Sequence, residues 1–415
     1  TWGFRLYDEH TPNLPRILKD VGYRTGIIGK LHVNPAHAFP FDFQEITSAN
    51  FQRNNLPDYA LHAKTFINAD DKPFFLSINY PDAHDPWIRQ INGIPKHPLD
   101  ADDIVPMPYM GVDSPALREL VADYYNCISR LDTLIGELLE VLEESGKAEN
   151  TIVIYLGDHG ADMLRGKRTC YEGGLRIPMM IRWPGNIEPS RSMEFVSTID
   201  LMPTILEAIN HEIVDNLPGK PLQPLFDGKS NMSSSFRDYF FAEYHTHAAA
   251  PNYFPQRSVR NEDYKLILSL LPNTEHPDYL DTIRKLHGDH EGRNSDHVLN
   301  IPELLASSPP IVRHAYELMR RPPEVQLYDL RKDPYEFNNL SESLDHQNIK
   351  AELLAHLHQW RVATSDPLLK PSILRQLTKE VQSIRSKSLA RKHTWQYPRY
   401  FFESEATPPA VPQDK

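Results

Sequence analysis

Cysteine is nearly absent: Cys127 and Cys170 are the only two in 415 residues. Two cysteines cannot make a disulfide framework, and neither stands in a CxxC or Cys/His zinc spacing. Long apolar runs are missing too. No stretch approaches the roughly 18 uninterrupted apolar residues of a membrane helix, so no span is expected. Nor is there an excess of positive charge. A formal net charge of -12 argues against nucleic-acid binding driven by overall charge, and a site for an anion would have to be a local basic pocket. The chain opens Thr1-Trp2-Gly3-Phe4-Arg5, without Met or a signal-peptide apolar region. It is read as an artificial start, which leaves the missing targeting signal uninformative.

What is present suits a globular protein of one large and one smaller unit, with 40% apolar and 24% charged residues. Residues 13–21 read as a short amphipathic helix, capped by Asn13 and stopped at Gly22. A long helix is expected over 115–145, between a Ser114 cap and Gly146. Its apolar stripe recurs every three or four residues from Leu117 through Val121, Ile128 and Ile135 to Leu142. Short apolar runs at 24–29, 73–80, 151–156 and 178–183 read as buried strands. Strand and helix alternate with short connections, which predicts an α/β fold with helices on both faces of a sheet.

Three of these strands end alike. After 24–29 come Lys30 and His32, after 73–80 come Asp82 and His84, and after 151–156 come Asp158 and His159. The C-terminal edge of an open α/β sheet is where ligands bind, so three such endings predict one shared site. Past residue 210 the texture changes. Gly and Pro punctuate 218–228, and residues 238–244, 257–270 and 325–330 suggest short strands, with a helix at 349–363. The division is placed at 1–232 and 233–415. Residues 271–310 read as an excursion loop. The tail from about 370, polar, basic and then Pro-rich at 408–412, reads as surface-wrapping or disordered.

The stretch 22–32, GYRTGIIGKLH, resembles the second signature of the sulfatases, GYxTxxxGKxH. Leu156-Gly157-Asp158-His159-Gly160, Lys167, Tyr171 to Pro178 and Trp183-Pro184-Gly185 resemble the same family's metal- and sulfate-binding stretch, in the same order. Leu327-Tyr328-Asp329-Leu330, with Asp333-Pro334 and Asn339-Leu340, resembles its C-terminal motif. The phrases at 24–43, 254–259 and 360–368 are similar to the heparan N-sulfatase (sulfamidase) branch and its bacterial relatives. The resemblance implies an alkaline-phosphatase-like sandwich, with a central mostly parallel sheet flanked by helices. A smaller C-terminal α+β subdomain with an antiparallel sheet would follow. It implies hydrolysis of a sulfate ester or sulfamate on a saccharide through a formylglycine nucleophile, one Ca2+ ion, no nucleic acid and an extracytoplasmic or lysosomal setting.

Residue roles follow from the same resemblance. Lys30 and Lys167 would neutralise sulfate oxygens, where charge develops in the transition state. His32 would act as base on the formylglycine hydrate and its sulfated intermediate, and His84 would protonate the leaving group. Asp158 would be a calcium ligand, since a hard cation wants oxygen. His159 either touches the metal or only hydrogen-bonds nearby, because imidazole suits calcium poorly. Asp82 is read either as a substrate contact or as an Asx-turn residue. His245, His247 and Arg257 line the substrate cleft or sit on a surface loop. Arg165 and Arg168 compete with Lys167, whose spacing is preferred, and Glu172 and Arg176 are read as structural. Cys170 is a buried apolar residue or, beside Lys167, a thiol of lowered pKa.

The family's nucleophile is a Cys or Ser in C/S-x-P/A-x-R, and the reading takes that motif as absent. Neither Cys127 nor Cys170 has Pro or Ala at +2 and Arg at +4. The nucleophile and two further calcium-binding aspartates are therefore expected upstream of Thr1, and the 415 residues alone are expected to be inactive. Two other readings stand beside this one. A phosphodiesterase or phosphonate hydrolase of the same superfamily would use the same cationic pocket. A non-catalytic homologue would bind sulfated glycans without cleaving them.

Overall fold

The computed structural model describes residues 4, 6, 8–215, 217–226, 235–246, 252–277, 301–384 and 393–402. Asn13 accepts a hydrogen bond from Arg16 N at 3.1 Å and starts helix α1, Leu14–Asp20; Gly22 takes φ +92° just beyond it. Strand β1, Arg24–Gly29, lies in the middle of a parallel sheet. On one side runs β2, Phe43–Glu45, and on the other β3, Phe74–Asn79. Helix α2, Asp58–Ile67, covers this sheet. It turns Tyr59, Ala63, Phe66 and Ile67 onto Ile28 and onto Leu134 and Leu142 of α3, Pro115–Glu144.

Helix α3 begins as its sequence predicts, with Ser114 Oγ accepting from Leu117 N at 3.2 Å. Its two ends serve two cores. Leu134 and Leu142 pack under β1 and β3, while Leu117, Val121 and Cys127 join Trp87, Met163, Tyr171, Tyr316 and Tyr328. One helix thereby ties the parallel sheet to the C-terminal half. Strand β4, Val153–Leu156, pairs with β5, Met179–Arg182, and that pair is antiparallel.

The C-terminal half holds an antiparallel sheet in the order β6 (Phe240–Tyr244), β7 (Gln256–Arg260), β8 (Tyr264–Ser269), β9 (Val325–Asp329). The run 257–270 is thus a hairpin. Asn261 makes its turn, accepting from Asp263 N at 3.0 Å and Tyr264 N at 2.7 Å. The helix Gln347–Ala363 lays Leu353 and Leu357 on Val259, Leu266 and Leu327.

Two expectations need correction, and one choice between readings is settled. Of the four runs expected as buried strands only β1 is buried; β3 and β4 are half-buried, and β5 leaves Met180 61% exposed. The excursion loop expected over 271–310 contains the helix Ile301–Ala306, and residues 278–300 lie outside the described residues. Of the two readings of the tail, the surface-packed one holds over residues 371–384. The helix Pro371–Gln382 buries Leu377 and Val381 against Tyr253, Leu368 and Tyr397. Its basic composition masks a stripe of apolar residues at spacings of three and four, and burying that stripe docks it. Residues 403–415, with the Pro-rich stretch, lie outside the described residues. Among the described residues no helix is long and apolar enough to cross a membrane.

Candidate active site

Because β1 and β3 are parallel, their C-terminal ends share one edge. The chain leaves β1 through Gly29 at φ +97°, where a Cβ would sit 2.2 Å from Asn79 O. Only glycine fits so close a crossing. Asn79 Nδ2 then donates to Lys30 O at 3.0 Å, fixing how Lys30 and His32 emerge.

Electrostatics show which side chains share the site. Burial pushes the His32 pKa down, the charges of Lys30, Lys167 and His84 push it further, and Asp158 opposes them. Burial lowers Lys30 too, again with Asp158 opposing. Burial also lowers His84; Asp85 works against this and Lys167 adds to it. The endings of β1, β3 and β4 and the Lys167 loop therefore converge on one cationic locus. Its imidazoles are held toward their neutral forms.

The Lys167 loop folds back on itself. Lys167 N donates to Ala161 O at 2.8 Å and Gly160 N to Gly174 O at 3.0 Å. The neighbouring arginines point elsewhere. Arg165 is buried, donates to Tyr335 O and Glu336 O at 3.1 and 2.7 Å, and stacks over Tyr171 at 4.2 Å. Arg168 pairs with Asp162 at 2.5 Å. Lys167 lies 4.0 Å from Asp162 and is the cation of the three whose charge reaches both His32 and His84.

Other candidates sit differently. Asp82 is wholly buried between two buried arginines. It accepts from Arg53 Nε at 3.0 Å and from Arg130 Nε and Nη2 at 2.7 and 2.9 Å. Arg257 is buried and forked onto Asp366 at 2.9 and 3.0 Å. His245 is partly exposed, 3.6 Å from Glu243, which also meets Arg257 at 3.3 Å. His247 lies outside the described residues. Glu172 holds Arg260 and Lys265 at 2.5 and 2.9 Å, and Arg176 is exposed. The thiol reading of Cys170 is overturned: burial pushes its pKa up to about 11.

The C/S-x-P/A-x-R string is not absent either; Ser114-Pro115-Ala116-Leu117-Arg118 matches it letter by letter. Ser114, however, caps α3, and Arg118 is forked onto Asp113 at 2.8 and 2.6 Å. This serine is occupied as a helix start.

A calcium ion wants six to eight oxygens. Asp158 offers a carboxylate 87% exposed, with His159 Nε2 3.3 Å from it. Among the described residues no group of three or more His, Cys, Asp or Glu could hold a metal. Asp158 fits as one ligand, but these residues do not complete a calcium site.

One residue that the sequence did not flag supports the Lys167 loop from the C-terminal half. His276 is buried, stacked on Phe254 at 4.3 Å and on Tyr244 at 5.9 Å. Burial pushes its pKa down from 6.5 to about 3, against a hydrogen bond to the Arg168 backbone. Between those values the unfolded chain binds a proton that the folded one refuses. Stability from this residue is fully present above about pH 6.5 and is lost as pH falls. Urea unfolding at pH 5 against pH 7 should show a loss of about 2 kcal/mol from this source. His276→Gln should flatten that slope, and an unchanged slope would assign the acid sensitivity to other groups.

The Sulfatase family matches residues 6–211, and the family described as N-sulphoglucosamine sulphohydrolase, C-terminal, matches residues 157–283. The chain belongs to the sulfatase family. It is thus of the sulfuric ester hydrolase class, with an alkaline-phosphatase-like α/β fold. It is 27% identical to human N-sulphoglucosamine sulphohydrolase over 410 residues, covering 88% of this chain and 76% of that one. It is 25% identical to an ulvan-active sulfatase of Formosa agariphila over 85% of this chain, spanning 64% of that relative's length. A Bacteroides fragilis protein solved as a sulfatase candidate superposes with a TM-score of 0.62 at 19% identity, over 87% of this chain and 79% of that one.

Proposed function

We propose that this sulfatase hydrolyses a sulfate ester or sulfamate on a saccharide, with Lys30, His32, His84 and Lys167 as its sulfate-handling residues. What carries this is membership of the sulfatase family together with the meeting of Lys30 and His84 on one Phe51 ring; the charges of Lys30, Lys167, His84 and Asp158 acting on His32 agree with it. The saccharide is inferred from relatives named for N-sulphoglucosamine and for ulvan. The formylglycine nucleophile, from outside these 415 residues, is part of the proposal. So is an extracytoplasmic setting.

Each side chain has a task. Lys30 and Lys167 bind the sulfate oxygens in a half-buried pocket, where a cation counts for more than in water. His84 Nδ1 lies 2.7 Å from Asp85 O and donates to it, so the acid is the imidazolium: it passes its Nε2 proton to the departing sugar oxygen or nitrogen and is left as the neutral Nδ1–H tautomer, the form that burial favours. His32, held toward its neutral form, is suited to accept a proton when sulfate is released. Calcium enters only as an ion to which Asp158 lends an oxygen; a calcium titration unchanged by Asp158→Asn would remove it.

The test is turnover of N-sulfoglucosamine and of O-sulfated sugars by the complete enzyme. Lys167→Ala should lower kcat/KM by about 10²–10³-fold, the usual loss of one transition-state charge contact. Binding of sulfated sugar without turnover, or turnover of phosphodiesters in preference, would overturn the proposal.

A further inference from the structure

Residues 51–53 belong to none of the matching motifs, yet they are tied to the His84 loop from two directions. The Phe51 ring stacks on His84, with centroids 4.3 Å and planes 22° apart. On the same ring lies the Lys30 ammonium, 5.5 Å from its centre. Arg53 anchors the backbone beneath this stack. It is 1% exposed and donates from Nε to Asp82 and from its terminal nitrogens to the carbonyls of Phe51 and His84. One buried guanidinium thus grips both chain segments whose rings meet. The far side of Asp82 is held in turn by Arg130.

An aromatic face recognises both partners, stacking offset on an imidazole and attracting an ammonium. A ring in contact with both couples the position of one to that of the other. We propose that Phe51 is a positioning residue of the site: its ring holds the His84 imidazole in one plane and one tautomer beside Lys30, while Arg53 locks the two backbones together. Only the task assigned to His84 rests on the sulfatase reading. The burial that lowers His84 and Lys30 agrees with this placement.

The experiment is nitrogen NMR of the 415-residue chain with 15N-labelled histidine, which reads the tautomer of each imidazole. In the wild type His84 should carry its hydrogen on Nδ1, facing Asp85 O. Phe51→Leu, which keeps bulk and removes the face, should lower the ratio of Nδ1–H to Nε2–H forms by up to roughly tenfold, the scale of one lost aromatic pair contact. Phe51→Tyr should preserve it. If the Leu variant does not fold by far-UV circular dichroism, Phe51→Met takes its place. A folded Leu or Met variant with the wild-type ratio overturns the proposal. So does a Tyr variant that loses the ratio as fully as Leu, since bulk rather than the aromatic face would then decide. None of these readouts needs turnover. An enzyme inert toward sulfated sugars would sink the sulfatase reading and leave the tautomer result standing.

Discussion

Asp82→Ala should cost about 3–5 kcal/mol in urea unfolding, the scale of a buried ion pair broken from one side. The side chain is 0% exposed, and so are those of Arg53 and Arg130 that clamp it. Removing the carboxylate leaves two guanidiniums facing one another with no water to replace it. Asp82→Asn keeps the shape and one acceptor and should lose less. Arg130→Met added to Asp82→Ala should cost less than the two single losses summed, because the second change removes a charge that the first left unpaired. This separates the two sequence readings of Asp82. A substrate contact would show as a raised KM at unchanged stability. A clamp under the His84 loop shows the reverse, and a variant that unfolds at the wild-type urea concentration would return Asp82 to the substrate.

The residues legible in the sequence are those whose signal is local. Lys30, His32 and Asp158 follow short apolar strands at fixed spacing, and α3 announces itself by a cap, a stripe and a stop. Strand β2 has only three residues, Phe43-Gln44-Glu45, too few for any alternation to show. Helix α2 did carry a stripe, at Tyr59, Ala63, Phe66 and Ile67, that could have been read. The supports of the site have no such signal. Arg53 and Arg130 reach Asp82 across 29 and 48 residues, and Lys265 reaches Glu172 across 93. Buried ion pairs between distant segments follow from how the chain packs, not from periodicity. For the same reason the string at Ser114 misleads: its letters fit, and the helix it caps has already used the hydroxyl.

Lys265→Ala should be comparably severe, again about 3–5 kcal/mol. Lys265 is 1% exposed, and its Nζ lies 2.9 Å from Glu172 and 3.0 Å from Glu336. Glu172 N also donates to Glu336 at 2.7 Å. Burial works to raise Glu172, but Lys265 and Arg260 outweigh it and hold it below the usual carboxylate range. Glu336 goes the other way, raised by burial against the pull of Lys265. Without the lysine both carboxylates would sit buried side by side, and one would take up a proton in the folded state at a pH where the unfolded chain has none. A carboxylate whose folded pKa lies above its unfolded value adds stability as pH falls. The deficit of Lys265→Ala, measured against wild type at the same pH, should therefore be smaller at pH 5 than at pH 8. Adding Glu172→Gln and Glu336→Gln should recover part of it at pH 8. Since Glu172 opens the short helix Glu172–Leu175 that closes the Lys167 loop, turnover should fall along with stability. An equal deficit at both pH values would assign the loss to the packing of the lysine stem, and the C-terminal sheet would then hold the loop by shape rather than by charge.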